Sequence, residues 1–256
     1  MTKDKNNLPF LPEKFESKST IVAEDILAIN NEEILKNFVA PTKGCVFGPL
    51  KKLLEVVEKE LKVKEGPRII NPVYVNDEVA FFLGFVGFGS PMWTWVFEQL
   101  IALGIKKFVY IGVFGKVNPE YDNDSIYVVT KALRDEGTSR HYTKSDDAWA
   151  YPDKELTDEL LKLGAKKASI WTVDVMFKQT FVEVEYAKKN GIAGFEMECS
   201  ALFTVAKEKG VQIASLQAVS DYYIKGKHTS IFKTEKCQSN LEKALHMALE
   251  VLDVKN

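Results

Sequence analysis

The segment Gly194-Phe195-Glu196-Met197-Glu198-Cys199-Ser200-Ala201 carries two carboxylates where an apolar stretch gives way to a helical pattern. Open α/β sheets bind their ligands at such carboxyl ends of strands. Alternation along an extended segment puts Glu196 and Glu198 on the same side. A carboxylate there can accept both hydrogen bonds from a vicinal diol, such as the 2′ and 3′ hydroxyls of a ribose. The plainer use of such a residue is to stabilise the positive end of the following helix. Ser220-Asp221 is a second chemical feature, following the apolar run Ala214 to Val219 and preceding Tyr222 and Tyr223. An Asp at a strand's carboxyl end, flanked by these two tyrosines, could have a raised pKa and act as a general acid. Its alternative is an Asp that opens a loop and binds backbone amides. Third, Gly84-Phe85-Val86-Gly87-Phe88-Gly89-Ser90-Pro91 joins an apolar strand to a helix. Its glycines either let backbone amides approach a ligand at the helix N-terminus or simply make a tight turn. The spacing is not the dinucleotide fingerprint, and neither a Gly-x-Ser-x-Gly elbow nor a Walker A motif occurs. The polar stretch Asp135 to Ser139 could touch a ligand or form a surface turn, and Asp146-Asp147 reads as a solvated loop.

These residues need a frame. Asp25 to Phe38 predicts a short helix, Gly44 to Gly48 a strand, and Pro49 to Leu61 a helix with Pro49 in its first position. Val79 to Phe88 and Lys107 to Phe114 are apolar enough for strands buried on both faces, with the helix Ser90 to Leu103 between them. Trp93 and Trp95 fall on opposite faces of that helix. Strands are expected at Ser125 to Leu133, Ala168 to Val175, Ala193 to Met197 and Gln212 to Val219. Helices are expected at Asp153 to Leu163, Thr180 to Lys189 and Cys199 to Lys209. Ser239-Asn240-Leu241-Glu242 has the pattern of a capping box opening a last helix to Leu252. The alternation predicts an α/β fold: a single domain with a mixed, largely parallel central sheet flanked by helices. Residues 1–43 read as an N-terminal arm with a short helix, and residues 44–256 as the α/β domain. The stretch from Asp135 to Pro152 is long for a loop, which suggests function or a subunit interface.

Composition narrows the function. The 256 residues are 46% hydrophobic and 27% charged, with a net charge of -2. That is enough apolar content for a core and no global basic field for nucleic acid. Only three arginines occur (Arg68, Arg134, Arg140), so strong anion forks are scarce. Three scattered cysteines (Cys45, Cys199, Cys237) and three histidines argue against a disulfide scaffold and against a zinc site. With no apolar leader behind Met1 to Asn7 and no run of membrane-spanning length, a cytoplasmic protein without a membrane partner is expected.

Taken together, these pieces resemble the nucleoside phosphorylase superfamily, the purine-nucleoside and uridine phosphorylase type with its nucleosidase relatives. The resemblance spans roughly residues 44 to 252. It rests on Gly87 to Pro91, on Leu103-Gly104-Ile105-Lys106-Lys107 with Gly112-Val113-Phe114-Gly115, on Gly194 to Gly210, and on Val219-Ser220-Asp221 at the family spacing. Arg134 to Tyr142 looks like the matching loop of the uridine phosphorylase branch. The resemblance implies that Glu198 binds ribose hydroxyls, with Glu196 beside it and Met197 against the sugar. Asp221 would protonate the purine, and Met176 and Phe177 would flank base and ribose. It also implies N-glycosidic bond cleavage, with inorganic phosphate as co-substrate and no cofactor or metal. A homodimer or homohexamer follows, because the family builds its sites at subunit contacts.

The departures from the family concern phosphate. Tyr110 and Val113 stand where these phosphorylases have an Arg and a Ser or Thr. The phosphate element shrinks to Gly48-Pro49-Leu50-Lys51-Lys52, leaving Gly48, Lys51 or Lys52, and Arg68, at the position of an Arg sent into a neighbour's site. The uracil-reading residues lack counterparts around Lys178 to Val182, and Asp221 favours a purine-like base. Phosphorolysis with a degenerate phosphate site is the first expectation. Hydrolysis by a nucleosidase and non-catalytic nucleoside binding are the alternatives.

Overall fold

Alternating side chains of the central strands feed two separate cores. In β1 (Gly44–Gly48), Cys45 and Phe47 face one core while Val46 faces the other. The computed structural model describes residues 12–29, 32–224 and 226–253. Helices α1 (Ala23–Ile29) and α2 (Glu32–Val39) precede β1, so the helix expected over Asp25 to Phe38 is two. Next come α3 (Lys51–Glu60), β2 (Lys64–Arg68), β3 (Pro72–Val75) and β4 (Val79–Leu83). Pro49 lies just outside α3, and β4 stops at Leu83 because Gly84 leaves the extended region, so the strand expected to reach Phe88 is half as long. The chain continues through α4 (Ser90–Ala102), β5 (Lys107–Lys116), β6 (Ile126–Asp135), β7 (Trp149–Ala150), α5 (Lys154–Lys162) and β8 (Lys166–Val173). It then forms α6 (Phe181–Lys189), β9 (Ile192–Glu196), α7 (Cys199–Lys209), β10 (Gln212–Ile224), β11 (Lys227–Ser230) and α8 (Glu235–Val251). The last helix starts earlier than the capping-box pattern at Ser239 suggested. Thr234 is its cap, accepting the Cys237 N–H at 3.3 Å, and Asn240 lies inside the helix, buried.

The sheet order is β11-β10-β6-β8-β9-β5-β1-β4-β3-β2, with an additional β10–β5 pairing. That pairing closes β5, β10, β6, β8 and β9 into a ring, while β1, β4, β3 and β2 continue as an open wing. The pairs β1–β4, β1–β5, β10–β5, β6–β8 and β8–β9 run parallel. The β5–β9 and β10–β6 contacts are antiparallel, as are the margins. Closure brings β9 very near β5. A Cβ on Gly194 would stand 2.0 Å from the Gly115 carbonyl oxygen, so only glycine permits the contact.

One core packs aromatic rings beneath α4 and α7, with Phe47 stacked on Phe97 at 5.3 Å and Trp93 wholly buried. As the helical pattern implies, Trp95 on the other face is 39% exposed. Leu53, Leu156 and Leu245 of α3, α5 and α8 fill the second core. The stretch after β6 is not loose. Arg134 is buried and donates to the Ser139 hydroxyl at 3.0 Å and to the Asp147 carbonyl at 2.9 Å.

Candidate active site

The start of α7 organises the site. Glu196, the last residue of β9, turns one carboxylate oxygen onto the N–H groups of Glu198 (2.9 Å) and Cys199 (2.7 Å). Its other oxygen accepts the Thr172 hydroxyl, and Thr172 Oγ1 accepts the Ser200 N–H at 3.0 Å. Glu196 therefore holds the helix start, in the plainer of its two roles, and is only 4% exposed. Glu198 departs from extended backbone (φ −133, ψ −39), and it and Glu196 border the same cleft. Removing the Glu196 side chain strands buried amides at a helix terminus. Glu196→Ala is expected to cost about 1–3 kcal/mol, read as a lowered denaturation midpoint at unchanged m.

Glu198 binds the glycine turn that precedes α4. Its Oε1 accepts the Gly89 N–H at 2.9 Å. Gly89 has φ +89, a conformation side chains rarely adopt, and this orientation lets the amide serve Glu198. The Ser90 hydroxyl donates to the Met197 carbonyl at 2.7 Å and staples the glycine turn to α7. The turn therefore positions a carboxylate, and the Gly89 amide expected to meet a ligand is already engaged. Burial pushes the Glu198 carboxyl well above the ordinary value, and the Glu196 charge adds to the shift. Glu196 is also raised by burial, against its hydrogen bonds. The folded state thus binds a proton at Glu198 that the unfolded chain has released, so this contribution is intact below about pH 4.5 and is lost as pH rises toward the folded value. Native protein should accordingly lose stability relative to Glu198→Gln as the pH of a denaturant series is raised from about 5 to about 8. A constant difference across the series would contradict the shift.

Asp221 lies on β10 just past an irregularity in its pairing with β5 and opposite Ser230 of β11. One oxygen accepts the Ser220 hydroxyl at 2.6 Å and the other meets His228 Nε2 at 2.9 Å. The Asp221 side chain is 31% exposed and its partner is a histidine. His228 is the cleft residue that sequence reading passed over. Only the β10–β11 hairpin, pairing Tyr223 with His228, carries it to Asp221.

A cleft of about 520 Å³ joins these groups. Glu198, Met197, Asp221, His228, Met176 and Phe177 all line it. Phe177 is 94% exposed, on the short turn Met176–Lys178. Tyr110 and Val113 of β5 also line the cleft. The Tyr110 hydroxyl is sealed from solvent, and burial followed by the Glu198 charge raises its pKa. Among the described residues no lysine or arginine lines this cleft. The residues expected around phosphate lie elsewhere. Gly48 is buried where a Cβ would meet the Ile111 carbonyl, Lys51 borders a separate cavity with Lys52 and Lys233, and Arg68 is exposed on β2. Glu136 is not on a surface turn either. It is 4% exposed and accepts the Ser200 hydroxyl at 2.8 Å and the Ser139 N–H at 2.7 Å, tying its loop to α7.

Fold and site define a mixed α/β protein whose cleft brings together a buried carboxylate, an Asp–His pair and apolar side chains. The family model for the Phosphorylase superfamily matches residues 49–253, and the chain belongs to that superfamily. An uncharacterized protein of Acanthamoeba polyphaga mimivirus is 28% identical over 134 residues, 52% of this chain and 53% of that protein. The DeoD-type purine nucleoside phosphorylase of Proteus mirabilis is 26% identical over 64% of this chain and 71% of its own length. The guanosine phosphorylase of Halorubrum lacusprofundi is 24% identical over 72% and 80%. The crystal structure of uridine phosphorylase from Vibrio fischeri superposes with a TM-score of 0.70 at 22% identity, covering 83% of this chain and 92% of that one, and shares the fold. Among the described residues no helix is long and apolar enough to cross a membrane.

Proposed function

We propose that this chain cleaves the N-glycosidic bond of a purine-type nucleoside. The observation that carries the reading is the convergence of Glu198, Met197, Asp221, His228 and Phe177 on one cleft. The relatives named as purine nucleoside and guanosine phosphorylases support a purine base. Glu198 takes the ribose hydroxyls, Met197 packs against the sugar, and Phe177 and Met176 lie along the base. The C1′–N9 bond breaks toward an oxocarbenium-like sugar, and the departing electron pair is neutralised by a proton moved from Asp221 to N7. His228, on the far oxygen of Asp221, is placed to resupply that proton. With its proton released to solvent as the sugar binds, the negative charge of Glu198 favours the developing positive sugar.

The acceptor distinguishes two readings. In phosphorolysis, a phosphate oxygen bonds to C1′ and the products are free base and ribose 1-phosphate. This family chemistry needs cationic help that a second subunit would bring, with Arg68 the residue expected to cross. In hydrolysis, water bonds to C1′ and free ribose leaves. The cleft without lysine or arginine favours this second reading. Base release from adenosine, guanosine, inosine and uridine, measured with and without phosphate, separates the two. Release only with phosphate supports phosphorolysis, and release without it supports hydrolysis. Binding without release in either condition would replace both with a non-catalytic binding protein. A monomer by light scattering would remove the subunit-shared form of the phosphorolytic reading.

A further inference from the structure

A second compartment of about 420 Å³ lies behind the Asp221–His228 pair. It shares Gly115, Gln179, Asp221 and His228 with the main cleft, so the two spaces meet along that wall. Its remaining lining is mostly apolar: Val117, Phe181, Val184 and Tyr223. Phe181 and Tyr223 pack ring to ring at 5.9 Å across it. Lys116 also borders it, but its ammonium donates to the Tyr121 carbonyl at 2.8 Å and lies over the Tyr222 ring. The compartment therefore offers apolar surface and no free charge of its own beyond the Asp221–His228 pair.

Purine geometry links this space to the substrate. N7 and the exocyclic group on C6 occupy the same edge of the base. A purine whose N7 meets Asp221 turns its 6-substituent past Asp221, toward the compartment. An unsubstituted amino or oxo group would leave that space unfilled. We infer that the preferred substrate is a purine nucleoside bearing an apolar alkyl or aryl group at the 6 position, with that group seated among Val117, Phe181, Val184 and Tyr223. The inference rests on the reading of the cleft as a nucleoside site.

Binding of adenosine and N6-benzyladenosine, measured by titration calorimetry on the full chain, tests it without requiring turnover. Burial of a benzyl group is expected to tighten binding about 10- to 100-fold over adenosine. Phe181 is 72% exposed, so Phe181→Ala leaves the core untouched. It should erase much of the benzyl advantage while adenosine affinity stays the same. Val184→Phe, which fills the compartment, should reverse the preference. Equal affinity of the native chain for both nucleosides, or equal loss of both in Phe181→Ala, would overturn the inference and leave the nucleoside reading standing. No binding of either nucleoside would overturn both.

Discussion

Glu198→Gln is expected to lower kcat/KM for base release by about 10²–10³-fold, with KM raised and kcat reduced together. Glu198 holds the Gly89 amide with one oxygen, leaving the rest of its acceptor capacity for the sugar. Glutamine replaces an acceptor with a donor and removes the charge that would favour an oxocarbenium-like sugar. One of its amide orientations also sets NH₂ against the Gly89 N–H. The fold should survive, because the substitution removes a carboxyl whose ionisation burial opposes. Loss of activity with stability kept, or gained at high pH, marks a site residue. Glu196→Ala should do the reverse and lose stability first, since both Glu196 oxygens are committed to the helix start. Steady-state kinetics and denaturant curves on the two variants give the contrast directly. A Glu198→Gln enzyme with unchanged kcat/KM would remove Glu198 from the mechanism.

Asp221→Asn is expected to slow base release from guanosine by about 10²–10⁴-fold, the usual contribution of a general acid. The substrate 7-methylguanosine provides the control. Its base already carries positive charge at N7 and leaves without protonation, so Asp221→Asn should spare it. A merely structural role would reduce both substrates alike. His228→Gln should follow the same pattern in weaker form, because His228 acts on the reaction through Asp221 across a 2.9 Å contact. If both substrates fall equally in Asp221→Asn, the acid must be sought elsewhere in the cleft.

Local features of the sequence carried a large part of the architecture. The apolar runs of β1, β4 and β5 face protein on both sides, and strands buried on both faces need no polar alternation. Helix α7 runs over the residues its pattern marks, Cys199–Lys209. The position of Glu198 and Met197 was legible because their neighbours in the chain make a strand-to-helix junction, whereas β10 runs on past Asp221 to Ile224 because β11 pairs with it. The misplaced boundaries have local causes too. The capping-box pattern at Ser239 was overridden because the Thr234 hydroxyl reaches the Cys237 amide one turn earlier. The edge strands β2 and β11, and β3 beside β2, carry weak or mixed patterns, and the ladder positions opposite them give them their conformation.

The amino-acid sequence by itself determined the alternating α/β order, the two buried faces of the central strands and the two carboxylates at the β9–α7 junction. Each of these depends on residues close together in the chain. Tertiary structure alone decided the division of labour between Glu196 and Glu198, since it depends on Thr172 and Gly89, 24 and 109 residues away in sequence. It also decided that His228 meets Asp221, that Glu136 anchors α7, and that Lys51 and Arg68 lie outside their own chain's cleft. Sheet closure through β10–β5 and the pairing of distant strands set those distances, and no local propensity encodes which strand will pair with which.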